Sequence, residues 1–293
     1  MPGLHLHIGL AGAVLLLPLN EAIAHGFAGA RFFPATLASD DPFVADEFSL
    51  PTAAFFKDSD DVRTESYSVD LAKRITRDFG IELGESYVSS HVPGGPTASG
   101  FDNLSFGAKY QIAIDPVHEA IFAVGVDADI GGTGAKRIGA DRFSTFTPTF
   151  FFGKGFGDLS NNVSLLRPFA VTGSMGVALP TKENPDALEI GLALEYSLQY
   201  LQSQVRDVGL GAPFDRLIPL VEFAVETPFQ RGGVTTGTAN PGVVWAGQYF
   251  QLGAEAIIPL NGASGHVVGF KAQLHFFIDD LFPNSIGRPI FGG

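Results

Sequence analysis

Residues 188–200 of the chain read LEIGLALEYSLQY, and this stretch decides the fold. Leucine, isoleucine and tyrosine occupy every second position, while glutamate, glycine, alanine, serine and glutamine fill the positions between them. Because successive side chains of a β-strand point to opposite faces, the alternation predicts a strand with one apolar and one polar face.

The same alternation recurs along most of the chain. It is clear in four further stretches, 67–75, 79–87, 104–114 and 268–278. It is weaker in five others, 119–130, 142–153, 165–178, 217–226 and 246–258. That makes about ten strands, and a strand near 46–56 or within 231–245 would raise the number to about twelve. Bacterial single-chain barrels use even counts, so either number closes.

Two all-β architectures fit this pattern, a transmembrane barrel and a soluble sandwich. Strands of about 10 residues or more exceed the ~5–6 typical of sandwiches and favour the barrel. The 36 glycines, 27 phenylalanines and only 17% charged residues suit short turns and an aromatic-rich surface. Tyrosines and a phenylalanine near strand ends suit an interfacial girdle: Tyr87, Tyr110, Tyr196, Tyr200 and Phe276. We therefore predict an all-β, antiparallel, up-and-down transmembrane barrel of about 10–12 strands.

Composition excludes several functions. A net charge of −13 with scattered lysines and arginines argues against nucleic acid as a partner. The absence of cysteine excludes disulfide, zinc-thiolate and cysteine-nucleophile chemistry. We expect no cofactor and no metal site.

The first residues resemble an export signal. Residues 8–19 are a short apolar core, too short to span a bilayer comfortably, and Ala22-Ile23-Ala24 has the small residues that a signal peptidase reads. We predict a signal peptide over 1–24, cleaved after Ala24, although the preceding residues contain no lysine or arginine. The protein is expected in the cell outer membrane.

The mature chain divides into three parts. Residues 25–61 are irregular and predict a plug or lining segment, with Phe32-Phe33-Pro34 and Asp40-Asp41-Pro42 breaking any period. Residues 62–278 form the predicted barrel, and 279–293 a tail. Short connections at 76–78 and 115–117 suit periplasmic turns. Longer ones suit external loops: 90–102, 131–141, 202–215 and 227–243.

The polar faces of the strands supply the candidate functional residues. We expect thirteen of them to line the lumen: Asp70, Arg74, Glu82, Lys109, Asp127, Asp129, Glu189, Glu195, Glu222, Glu226, Glu255, Lys271 and His275. Such charges can select the solutes that pass. Equally, they can pair across strands and fill a narrow interior.

Catalytic alternatives find weaker support. Asp127 with Asp129, or Glu222 with Glu226, could act as acid and base on one strand face, yet nothing ties them to a nucleophile, and His275 has no identifiable serine partner. His25 would need a second histidine in a compact fold to chelate copper. Gly131-Gly132-Thr133-Gly134 lacks the spacing of a phosphate loop and predicts a hairpin loop.

One family resemblance concerns the start of the mature chain. The segments HGFAG (25–29), RFFPATL (31–37) and DDPFVADE (40–47) resemble proteobacterial outer-membrane proteins grouped with transporters of the phenol meta-pathway type. The barrel architecture predicts an outer-membrane channel or transporter for passive passage of small solutes, inserted by the barrel-assembly machinery into lipid. The resemblance adds a leaning toward hydrophobic or aromatic compounds. A structural barrel with a closed lumen, or an enzymatic barrel, are the alternatives. Outer-membrane barrels usually end on a strand with a terminal aromatic residue, whereas here a tail follows the last predicted strand and Phe291 precedes two glycines. The tail therefore either folds back under the barrel, or insertion uses an internal signal.

Overall fold

The computed structural model describes residues 26–182 and 184–292. The predicted signal peptide and its cleavage site lie outside these residues. Fifteen strands are present among them. In chain order they are β1 Phe27–Ala28, β2 Arg31–Phe32, β3 Glu47–Lys57, β4 Arg63–Arg74, β5 Phe79–His91, β6 Thr97–Phe101, β7 Leu104–Asp115, β8 Ala120–Ile130, β9 Thr145–Gly155, β10 Phe169–Pro180, β11 Ala187–Tyr196, β12 Leu217–Pro228, β13 Thr236–Ala246, β14 Phe250–Pro259 and β15 Gly269–Phe277.

Strands β3 to β15 form one closed antiparallel barrel. Each strand pairs with the next strand in the chain, except β6 with β7, and β15 pairs with β3 to close the ring. Strands β6 and β7 share one position, because both pair with β5, at its end and its beginning respectively. The barrel therefore has twelve strand positions, which is the upper end of the predicted range of 10–12. Both optional strands exist, as β3 and β13.

The outer surface of the barrel is apolar. Outward-facing side chains such as Leu71, Tyr110 and Leu192 are 47%, 51% and 36% exposed. Contact between water and so large an apolar surface is unfavourable, so the surface needs another environment. This is the face that the alternation assigned to lipid, and a band of this kind is typical of transmembrane barrels. No helix among the described residues has both the length and the apolar character needed to cross a bilayer.

Two predicted strand faces need correction. A β-bulge between Gln111 and Ala113 shifts the register of β7, so Ile114 lies opposite the buried Ile121 and packs inside. An unbroken period of two from Leu104 predicts Ile114 on the lipid face together with Ile112. Strand β11 ends at Tyr196, and the chain turns into a short helix, so Tyr200 is buried and is no girdle residue.

The barrel has two ends with different connections. We call the end where β3 begins and β15 ends the proximal end, and the opposite end the distal end. The connection 197–216 joins β11 to β12 at the proximal end, together with the short turns after β4 and β7. The prediction that 202–215 shares one end with 131–141 was therefore wrong, because an up-and-down chain returns to the same end after every second strand.

The ends of the chain also differ from their predicted boundaries. The barrel begins at Glu47, not at residue 62, so the irregular segment is shorter than 25–61. The tail folds back against the turn after β4, where Ile290 and Phe291 donate backbone hydrogen bonds to the carbonyls of Arg74 and Ile75 at 3.2 and 2.8 Å.

Candidate functional site

Residues 26–46, which we call the inner segment, lie inside the barrel. Its two-residue strands β1 and β2 form a tight hairpin. Gly29 at the turn has φ +63°, and a Cβ there would collide with the carbonyl oxygen of Pro116 in the turn after β7. Only glycine combines this backbone conformation with so close an approach.

Apolar side chains of the inner segment fill the proximal half of the lumen. One cluster packs Phe32 and Leu37 of the segment with inward-facing barrel residues, namely Ile218, Leu220, Val244, Ala246 and Phe277. A second cluster packs Ala28, Phe33 and Phe43 against Ile121 and Ala170. Phe33 and Phe277 are each 1% exposed. The proximal half of the lumen is thus a packed core on the side of β8 to β13 and β15.

Glu222 of β12 holds the middle of the inner segment. Its carboxylate accepts hydrogen bonds from the backbone N–H groups of Leu37, Ala38 and Ser39 at 2.7, 2.8 and 2.7 Å. It also accepts one from the Ser39 hydroxyl at 2.9 Å. Four donors on one fully buried carboxylate make a strong, charge-assisted anchor.

Further polar side chains of the barrel bind the backbone around this anchor. Lys271 donates to the carbonyl of Leu37 at 3.0 Å, and Gln251 to that of Ala35 at 2.6 Å. Lys109 donates to the carbonyl of Asp41 at 2.8 Å and pairs with Asp40 at 2.9 Å. Irregular backbone at membrane depth needs such partners, because neither lipid nor an apolar core supplies them.

Asp46 fastens the end of the inner segment. Its carboxylate accepts from Lys73 Nζ at 2.6 Å and from Arg74 Nε at 2.7 Å. Lys73 Nζ also donates to the carbonyls of Ile286 and Arg288 in the tail, at 2.7 and 2.6 Å. The start of the barrel and the tail therefore share one cluster of charges.

A buried triad closes the proximal end, and we call it the latch: Arg31, Glu119 and Tyr200. Arg31 Nε lies 3.2 Å from Glu119 Oε2, and its Cζ lies 3.7 Å from the centroid of the Tyr200 ring. The Tyr200 hydroxyl donates to Glu119 Oε1 at 2.6 Å. Burial raises the pKa of Tyr200 to about 12, with the hydrogen bond to Glu119 adding to the shift, so the hydroxyl stays a donor at neutral pH.

The backbone of Glu119 is itself unusual, with φ +51°. Left-handed conformations are strained for residues other than glycine and persist where the surroundings hold them. Here Gly157 N–H donates to the Glu119 carboxylate at 3.1 Å, and Arg31 binds the carbonyl of Pro168 at 2.9 Å. The latch thus joins the inner hairpin to three proximal connections.

A cavity of about 1040 Å³, which we call the chamber, occupies the distal half of the lumen and reaches the proximal end beside β3 to β5, where Glu47, Ala72 and Gly80 line it. It extends from the inner segment to residues at the distal end such as Lys57, Ser66 and Ser264. Its lining is acidic, with nine carboxyl groups on Asp40, Asp41, Glu47, Asp70, Glu82, Asp127, Asp129, Glu189 and Glu226. Three lysines share the lining, Lys57, Lys109 and Lys271.

The structure places all thirteen predicted lumen residues inward or at the proximal rim, but only some of them line the chamber. Nine line the chamber: Asp70, Glu82, Lys109, Asp127, Asp129, Glu189, Glu226, Lys271 and His275. Glu222 and Arg74 bind the inner segment instead, as do two of the chamber lysines. Glu195 is buried and accepts from Thr172 at 3.0 Å, and Glu255 is buried beside Glu222 and opposite Lys271.

The expectation that His275 lacks a serine partner was wrong. Ser49 Oγ lies 2.8 Å from His275 Nδ1, and Glu47 Oε2 lies 3.4 Å from His275 Nε2. The sequence did not show this pair because Ser49 lies on β3, which precedes the predicted barrel. Of the described residues, none forms a group of three or more histidines, cysteines or acids able to hold a metal ion.

Comparison with known proteins identifies the fold. No protein-family model and no curated protein sequence matches the chain. Among solved structures, it is similar to an outer-membrane channel of Pseudomonas putida F1, with a TM-score of 0.55 and 12% identity over 84% of this chain and 98% of that one. The KdgM porin gives a TM-score of 0.46 at 10% identity, over 78% and 98% of the two chains. The β domain of the Bordetella autotransporter BrkA gives 0.47 at 15%, over 80% and 99%.

Proposed function

We propose that the protein is an outer-membrane channel for small solutes whose passage requires displacement of the inner segment. The observation that carries the proposal is the division of the lumen into a polar chamber and an apolar part that is filled by the inner segment, which acts as a plug. A barrel of purely structural use needs no cavity of about 1040 Å³ lined by charges. Similarity of fold to a bacterial outer-membrane channel supports the same function.

The plug has the properties of a removable part. It is held by hydrogen bonds, by ion pairs of Arg31, Asp40 and Asp46, and by two small apolar clusters, whereas the barrel wall is a continuous hydrogen-bonded ring. Segments that move during function come from the less stable parts of a fold, and the inner segment has no strand longer than two residues. The plug can therefore leave without opening the barrel.

A disulfide between the plug and the wall tests this proposal. A Cβ at Gly191 would lie 2.6 Å from the Cβ of Ser39, and a shift of about 1 Å brings the pair to disulfide geometry. The chain has no cysteine, so Ser39→Cys with Gly191→Cys creates a unique pair. We expect the oxidised protein to lose its single-channel steps in planar bilayers and to regain them on reduction.

Each single-cysteine variant is the matched control, since it carries one substitution but no bridge. Steps that persist after complete oxidation would show that solutes pass without movement of this part of the plug. A correctly folded wild type that never conducts would remove the channel function and favour the closed structural barrel.

The solute class implied by the sequence resemblance, small hydrophobic or aromatic compounds, belongs to this proposal as well. Three phenylalanines, Phe43, Phe56 and Phe151, line the chamber among the carboxylates and could pack against an apolar or aromatic group. We also propose export through a cleaved signal peptide, with cleavage after Ala24, and insertion by the barrel-assembly machinery.

A hydrolase is the second candidate, favoured by the contact between Ser49 and His275. Against it, Ser49 binds Nδ1 and the acid lies near Nε2, the reverse of the usual triad order, and Ser49 is only 6% exposed. Labelling of the folded protein by a fluorophosphonate, lost in Ser49→Ala, would support hydrolysis. Absence of labelling would leave the pair as a structural hydrogen bond.

A further inference from the structure

We propose that the chamber takes small organic cations with N–H donors, such as amines and guanidines. This inference rests on the channel function proposed above, and it narrows the solute class from hydrophobic or aromatic compounds to those that carry a cationic group with N–H donors. It draws on three independent features of the chamber: its charge, its unpaired acceptors and the spacing of its carboxylates.

The charge of the chamber is strongly one-sided. Nine carboxyl groups face three lysines, a formal balance of −6 when all are ionised. Two of these lysines, Lys109 and Lys271, already donate to backbone carbonyls of the inner segment. Low-dielectric walls concentrate such a field and raise the local concentration of cations.

Two like charges lie directly opposite each other in this wall. Glu189 of β11 and Glu226 of β12 are register partners, and neither forms an ion pair within the described part of the chain. Opposed like charges destabilise a sheet unless a counter-ion sits between them. Asp127 and Asp129 extend the same acidic surface along β8.

The chamber also contains buried acceptors that lack donors. Gln273 is 9% exposed, and its amide nitrogen donates to Thr52 Oγ1 at 3.1 Å, which leaves its Oε1 without a hydrogen-bond partner. Asn240 is 1% exposed, and its Oδ1 likewise has none. Buried unpaired acceptors cost free energy, and a turn of either side chain toward the chamber, whose wall both residues form, would let a ligand rich in N–H groups satisfy them.

The spacing of the carboxylates favours an organic cation over a metal ion. They are spread around the wall, and no three acidic or histidine side chains of the described residues converge on a metal position. A cavity of about 1040 Å³ fits a solute of several heavy atoms. Donors at the ends of such a molecule could reach carboxylates on different strands.

Two measurements on the purified, detergent-folded full chain test the inference. The first is the reversal potential of single channels in a KCl gradient, where we expect cation selectivity. The second is isothermal titration with agmatine, which carries a guanidinium and an ammonium group, against pentanoate and tetramethylammonium. We expect agmatine to bind, pentanoate not to bind, and tetramethylammonium to bind more weakly because it has no N–H donor.

Glu189→Gln with Glu226→Gln should weaken agmatine binding by at least about fivefold and shift the reversal potential toward zero. Asp158→Asn with Asp207→Asn removes two charges from exposed proximal connections and is the matched control. We expect it to change neither measurement.

The outcomes separate this inference from the channel function. Channels that conduct but prefer anions would overturn the solute class and leave the channel standing. A protein that never conducts but binds agmatine through Glu189 and Glu226 would retain the solute class and lose the channel. Equal binding of agmatine and pentanoate, or equal effects of both double variants, would also overturn the inference.

Discussion

Deletion of residues 26–44 is expected to raise the single-channel conductance at least about tenfold, because an apolar plug that excludes water is replaced by a water-filled lumen. The deletion joins residue 25 to Ala45 and keeps Asp46, so the charges that bind the tail are retained. Planar-bilayer recordings of the purified protein give the conductance, and a heat-modifiable gel shift verifies the barrel.

A smaller change at the same place makes the deletion interpretable. Glu222→Gln keeps the shape of the side chain but replaces one acceptor oxygen with an amide donor, which then faces either the N–H of Leu37 or those of Ala38 and Ser39. We expect the channel of this variant to open more often than the wild-type channel, with a conductance similar to the wild-type value. Glu195→Gln, on the neighbouring strand β11, is the control because Glu195 is equally buried but accepts its hydrogen bond from Thr172 of the barrel wall. A folded deletion variant with unchanged conductance would show that the inner segment is not the barrier.

The second large effect is expected at the latch. Arg31→Met removes the cation from a pair whose side chains are 0% and 7% exposed, and leaves the Glu119 carboxylate buried. Breaking a buried pair from one side costs about 3–5 kcal/mol. The loss should release the inner hairpin first, because the barrel wall does not depend on Arg31. Hydrogen exchange at residues 26–33 should rise strongly while exchange in the barrel strands stays slow.

Two further variants decide whether charge or packing holds the hairpin. Arg31→Met with Glu119→Gln should recover much of the protection, since the uncompensated charge is then gone. Arg77→Met removes an exposed arginine at the same end and should change nothing. A double variant as unprotected as Arg31→Met alone would mean that packing of the Arg31 side chain on Tyr200, rather than charge, holds the hairpin.

The sequence predicts the barrel well because lipid imposes a strict period on every strand. Tyr67, Leu83 and Phe270 lie on the outer face, as the alternation indicates. The predicted optional strands turned out to be β3 and β13, which a proline at position 51 and another at 241 had obscured. Departures such as the β7 bulge follow from local pairing, which a fixed period of two cannot anticipate.

The plug was predicted only in outline, although a signal for it exists. Near the proximal end, β12 and β13 are apolar on both faces. Ile218 and Val244 face inward and are buried, while Val221 and Val243 face outward. A water-filled lumen would not need apolar inward residues there, so they indicate a partner inside. The latch was missed because its three members lie outside long strands, more than eighty residues apart for Arg31 and Glu119. Only the closed ring brings them together.

The shared charge cluster at Asp46 has a consequence for biogenesis. Lys73 binds Asp46 and two carbonyls of the last ten residues, so this anchor is complete only after the C-terminal tail has been made and β15 has joined β3. Complete locking of the inner segment therefore follows closure of the ring, whatever the order in which the strands pair. We expect sealing of the lumen to be a late step of folding.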